Sequence, residues 1–138
     1  MKIFVDSDVI ISSLISSKGA AYFLLHQTAL DFYISNISLQ ELEIVIERLK
    51  LDKKKLHKLI KDKLQILQLK EAQELLREQY MKFVVDPYDA HIVAAAKKGK
   101  VKFLISYNVR HFKRDIIKQE LDIIVTTPGN ILQYLRSL

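Results

Sequence analysis

An α/β domain of three layers, α/β/α, with a mostly parallel central sheet flanked by helices, is the fold class this sequence predicts. Three observations lead to it. Short apolar or β-branched runs alternate with helical stretches of about ten residues, as right-handed crossovers between parallel strands require. The first of these runs stops where the first carboxylates appear. Only three Gly, two Pro and no Cys interrupt 138 residues, 49% of them hydrophobic, so neither a linker nor a repeat divides the chain.

Taken in order, Lys2 to Val5 reads as a buried strand and Val9 to Leu14 as a helix. Ala20 to Leu30 is expected to be a second helix. Asp31 to Ser35 has the aromatic and β-branched content of a strand. Ser38 is expected to open a third helix, because Ser38 and Glu41 have capping-box spacing and Leu39, Leu42, Val45, Ile46 and Leu49 recur at helical intervals. Asp52 caps the next helix, whose stripe of Leu56, Leu59, Ile60, Leu64 and Leu67 opposes Lys53, Lys54, Lys55, Lys58 and Lys61. Ile66 to Leu69 is a short strand and Glu71 to Gln79 a helix. In Asp86-Pro87-Tyr88-Asp89, an acid at an N-cap and a proline at the first helical position lead into Ala90 to Lys98, and Gly99 ends that helix. Val101 to Ser106 reads as a buried strand, Tyr107 to Phe112 as a loop, Ile123 to Thr126 as the last strand, and Pro128 starts the last helix.

Composition narrows the chemistry. Without Cys, thiol catalysis, iron–sulfur clusters and Cys-zinc sites are excluded, and a reducing compartment, the cytoplasm, is the expectation. An acid within the first six residues leaves no secretory apolar core, and no apolar stretch is long enough to span a membrane. Twenty-two basic against sixteen acidic side chains leave a net charge of +6, which favours polyanionic partners over an anionic membrane surface.

In a parallel sheet, the C-terminal ends of strands and the N-terminal ends of helices lie along one edge, where ligands bind. Asp6, Glu41, Asp89 and Asn108 are therefore expected on a common rim. Singly, Asp8 reads as a helix N-cap, and Glu41 and Asp89 as capping or dipole acids. Jointly, crowded carboxylates raise one another's pKa unless a cation neutralises them. Oxygen ligands without Cys favour Mg²⁺ or Mn²⁺.

The sequence resembles the PIN-domain nucleases, particularly the VapC-type toxin ribonucleases of toxin–antitoxin pairs, over nearly its whole length as a single PIN-like domain, 1–138. The resemblance is carried by Phe4-Val5-Asp6-Ser7-Asp8-Val9-Ile10-Ile11, Ser38-Leu39-Gln40-Glu41-Leu42, Asp86-Pro87-Tyr88-Asp89-Ala90 and Ile105-Ser106-Tyr107-Asn108-Val109-Arg110-His111-Phe112. It implies that Asp6, Glu41 and Asp89 bind the metal, with Asn108 at a fourth position where the family often has Asp. Asp8, Asp86 and Ser106 would support them. The implied activity is cleavage of RNA by metal-activated water, and the implied partners are an antitoxin protein and a second copy of the chain.

Arg110, Lys113 and Arg114 follow Asn108 and are the candidates for holding RNA phosphates. The lysines between Lys53 and Lys63 read as a solvated face, the four histidines as surface or packing residues, and Tyr88 and Tyr107 as stacking candidates. Tyr22 to Leu25 are contiguous apolar residues on one helix, so at least one must find a partner beyond the local core. Two other readings compete. The opening segment also fits the D-x-D-x-V start of haloacid-dehalogenase-like phosphatases, with Asp6 as nucleophile and a downstream lysine required. A PIN-like scaffold with a neutral fourth position could also bind RNA or protein without cutting.

Overall fold

The computed structural model describes all residues 1–138. Five parallel strands form one sheet: β1 (Lys2–Val5), β2 (Asp31–Ser35), β3 (Leu64–Leu67), β4 (Phe103–Ile105) and β5 (Ile124–Thr126). Their spatial order is β3-β2-β1-β4-β5, so the first strand is central. Alternate side chains point to opposite faces. Ile3, Val5, Phe32, Ile34, Phe103 and Ile105 enter one core with helices α1 (Ser7–Ile15), α2 (Ala20–Leu25), α3 (Asn36–Arg48), α4 (Lys53–Lys63) and α8 (Pro128–Arg136). Phe4, Leu104 and Val125 enter the other with α5 (Gln73–Tyr80), α6 (Ala90–Lys98) and α7 (Arg114–Leu121). The expected three layers are present.

Several boundaries differ from expectation, each for a local reason. α2 stops at Leu25 rather than Leu30. The His26 ring shares a 2.8 Å hydrogen bond with the Tyr22 carbonyl, and the Gln27 side chain donates to the Phe23 carbonyl, which satisfies two helix-end acceptors. The following residues must then turn so that Asp31 can pair beside Lys2. α3 opens at Asn36, and its cap is Ser35, whose hydroxyl accepts from the Ser38 N–H at 3.0 Å; Ser38 is not the cap. Glu41 consequently sits in the second turn of the helix. α4 ends at Lys63, and Leu64 and Leu67 belong to β3, because pairing from Phe32–Leu64 to Ser35–Leu67 sets the register. Leu69 lies beyond the strand, where the Asn36 amide meets its N–H and C=O at 2.8 and 3.1 Å, as a neighbouring backbone would.

α7 has no counterpart among the elements expected from the sequence. Its eight residues carry one fully buried side chain, Ile117, too little for a visible period. Of the apolar run on α2, Leu24 and Leu25 are buried and Tyr22 stacks on His26, whereas Phe23 is 52% exposed. Gly99 is the C-cap of α6, but the left-handed position is Lys100, with φ of 52°. Bonds from Val101 N–H to the Ala96 carbonyl and from Lys100 N–H to the Lys97 carbonyl complete a Schellman turn. Lys100→Gly should therefore stabilise the protein by roughly 0.5–1 kcal/mol, read from the midpoint of urea unfolding.

Candidate active site

The parallel topology brings the C-terminal ends of β1 and β4 side by side, and this sets Asp6 against Ser106. Asp6 follows Val5, and its N–H donates to the Ile105 carbonyl at 2.9 Å, continuing the strand pairing. The buried Ser106 hydroxyl donates to Asp6 Oδ2 at 2.8 Å and accepts from the Asn108 N–H at 3.0 Å. It also lies 3.3 Å from Asp8 Oδ2. The Ser7 N–H donates to Asp6 Oδ1 at 2.8 Å, so Asp6 rather than Asp8 caps α1.

Asp8 faces the β4 loop. Its Oδ2 accepts from the Tyr107 N–H at 3.1 Å and from the Asn108 side-chain amide at 3.0 Å, while its Oδ1 is buried without a partner. Asn108 thus spends its NH₂ on a carboxylate, and its Oδ1 remains for other use. An Asp there would face Asp8 with two like charges. We expect Asn108→Asp to lower the melting temperature of metal-free protein, and added Mn²⁺ to raise it by more than in wild type. Calorimetric melts with and without Mn²⁺ measure both.

On the other side of the rim, Asp86 caps a 3-10 turn, Pro87–Asp89, by accepting from the Tyr88 N–H at 3.0 Å. The turn delivers Asp89 to the start of α6. A short antiparallel link fixes its position: Val84 bridges Phe112, the Val85 N–H donates to the His111 carbonyl at 2.9 Å, and the Lys113 N–H donates to the Phe83 carbonyl at 2.8 Å. This link leaves His111 Nδ1 3.9 Å from Asp89 Oδ2.

Electrostatics distinguish the rim from the rest of the molecule. Burial, reinforced by Asp8 and Asp89, pushes the Asp6 carboxyl up to about 6, against the pull of its bonds to Ser106 and Ser7. Burial raises Asp8 too, opposed by its hydrogen bonds to the β4 loop. Asp89 is raised by burial and then by Asp86, with His111 and His91 acting in the opposite sense. Despite 22 basic side chains, no lysine or arginine side-chain nitrogen lies within 4 Å of a carboxylate oxygen of Asp6, Asp8, Glu41, Asp86 or Asp89. No three of these side chains are close enough, as they stand, to grip one ion. Their chemistry nonetheless fits a hard divalent cation: oxygen donors, uncompensated charge and a buried oxygen with no partner.

Two histidines, read from sequence as surface or packing residues, belong to this region. His91 is 4% exposed, and its Nε2 lies 2.8 Å from Glu41 Oε1; His111 approaches Asp89. No local spacing signalled either contact, since Glu41 and His91 lie on different helices fifty residues apart. Of the basic candidates, Arg110 and Lys113 are exposed beside the rim. Arg114 instead donates through Nε to the Val125 carbonyl at 3.1 Å, on the edge strand β5. Tyr88 and Tyr107 are both exposed, and the Arg77 guanidinium sits 4.8 Å from the Tyr88 ring centre.

The five-stranded parallel sheet and its acidic rim belong to a known family of α/β domains. The model of the PIN domain matches residues 2–110, and the chain belongs to the PIN-domain family. Members are generally nucleases that use divalent metal ions. Among solved structures the chain is similar to VapBC2 from Rickettsia felis, crystallised with a DNA fragment from its promoter. The TM-score is 0.65 at 15% identity, over 92% of this chain and 98% of that one, a likeness of fold. No curated protein matches in sequence. Family membership sets aside the phosphatase reading. No helix is long and apolar enough to cross a membrane.

Proposed function

We propose that the protein is a Mg²⁺- or Mn²⁺-dependent endoribonuclease, the VapC-type toxin of a toxin–antitoxin pair. The observation that carries this reading is the set of uncompensated carboxylates on the rim of a protein with net charge +6. A nucleic acid is drawn to such a surface by its charge, yet the acids repel it unless a cation intervenes. Asp6, Glu41 and Asp89 would hold that cation, which supplies a water of lowered pKa and neutralises charge developing on the phosphate.

The chain's own residues do the rest. Ser106 fixes Asp6 and the Asn108 loop, Asn108 fixes Asp8, and Asp86 shapes the turn that presents Asp89. Arg110 and Lys113 hold flanking phosphates, and Arg114 contributes charge from the β5 edge. The VapBC-like fold supports an antitoxin as partner, and the exposed Phe23 supports pairing with a second copy, to be tested by light scattering of Phe23→Asp against wild type.

Purified protein should cleave mixed RNA with Mn²⁺ or Mg²⁺, and EDTA should stop it. Equal cleavage by Asp6→Asn would assign the activity to a contaminant. RNA binding without any metal-dependent cleavage would favour the non-cutting scaffold instead.

A further inference from the structure

His91 sits on a helix buried on every side: each residue from Ala90 through Ala96 is buried, so the imidazole has no room to swing. Its Nε2 meets Glu41 Oε1 at 2.8 Å, whereas its Nδ1 is buried without a partner. An orphaned ring nitrogen is costly, and packing alone would be better served by Phe or Leu. The use of a polar side chain here therefore lies at Nε2. Glu41 is the opposite kind of residue, with a side chain 57% exposed and free to adopt many rotamers. Restricting it from its own helix would cost side-chain entropy. A fixed imidazole nitrogen on the neighbouring helix, 2.8 Å from Oε1, offsets that cost.

We infer that His91 is a positioning residue, which holds the Glu41 carboxylate at the acidic rim through Oε1 and leaves Oε2, which carries no hydrogen bond, for a divalent cation. The inference rests on the metal-dependent reading above. Outer partners of ligating carboxylates typically change metal affinity 10–100-fold when removed.

The test is calorimetric titration of the full chain with Mn²⁺. His91→Phe keeps the volume and removes the donor, and His91→Gln keeps an N–H donor at the end of the side chain. Both are made in wild type and in Glu41→Ala, with thermal melts to check folding. His91→Phe should weaken Mn²⁺ binding about 10–100-fold, and His91→Gln should regain most of it. In the Glu41→Ala background, His91→Phe should change affinity by no more than about twofold, because the interaction is already gone. Equal or tighter Mn²⁺ binding by His91→Phe overturns the inference, as does an undiminished effect in Glu41→Ala. If His91→Phe fails to fold, His91→Asn, whose amide stops short of Glu41, takes its place against His91→Gln. Wild type that binds no Mn²⁺ at all overturns the metal-dependent reading together with this one. Wild type that binds normally and is indifferent to His91 overturns this one alone.

Discussion

Asp6→Asn should abolish cleavage and make the protein more stable. On the proposed metal-dependent reading the variant loses a ligand charge, so activity should fall by more than about 100-fold, beyond the range typical of outer partners. Stability moves the other way. Unfolded, Asp6 titrates at about 3.8; folded, at about 6. Between these values the folded state keeps a proton that the unfolded state has lost, so wild-type stability falls as pH rises through this window and levels off above it. The gap corresponds to about 3 kcal/mol. Asn carries no charge to bury; its Oδ1 can still accept from Ser7, and its NH₂ then donates to the Ser106 hydroxyl, which can turn its own proton towards Asp8 Oδ2 at 3.3 Å. At pH 7 and without metal, Asp6→Asn should therefore gain about 2–3 kcal/mol, about 5–10 °C in melting temperature, and lose most of the slope between pH 4 and 6. Asp8 and Asp89 are shifted in the same direction, so a shallower slope persists. Urea unfolding across pH 4–8 measures this, and a variant less stable than wild type at pH 7 would contradict the account.

Ser106→Ala should do the reverse on stability and also damage activity. Its hydroxyl is fully buried, gives its proton to Asp6 and receives one from the Asn108 N–H. Removal leaves that N–H without its acceptor and Asp6 Oδ2 without its donor, a cost of about 1–3 kcal/mol. Cleavage should drop about 10–100-fold as Asp6 and the Asn108 loop lose their common anchor. The two variants thus remove opposite ends of one 2.8 Å bond with opposite signs in stability. If Ser106→Ala unfolds at the wild-type urea concentration, water has taken the place of the hydroxyl.

Strands were the most legible part of the fold. β1, β2 and β5 are apolar or β-branched runs bounded by polar residues, and the alternation of their side chains between two cores follows from strand geometry alone. β3 slipped by two residues because Leu64 and Leu67 continue the spacing of α4, and only pairing with β2 decides between helix and strand. That the candidate acids share one edge was legible for a topological reason, since the C-terminal end of every strand in a parallel sheet points to that edge. The finer connections were not. That Asn108 serves Asp8, that Glu41 meets His91, and that His111 approaches Asp89 are contacts between distant segments, with no periodicity or cap to announce them.

The central position of the first strand has a further consequence, for the order of assembly. β1 pairs with β2 about thirty residues downstream, but its other neighbour, β4, lies a hundred residues away. Closing a chain segment that long is slow, and the contact comes late in folding. Until residues 103–108 have been synthesised and docked, one side of β1 is an open edge, and Asp6 and Asp8 are without Ser106 and Asn108. A chain emerging from the ribosome therefore carries its first carboxylates hydrated and unorganised for most of its synthesis. On the function proposed above, the rim would be inert towards nucleic acid until the final third of the chain is in place.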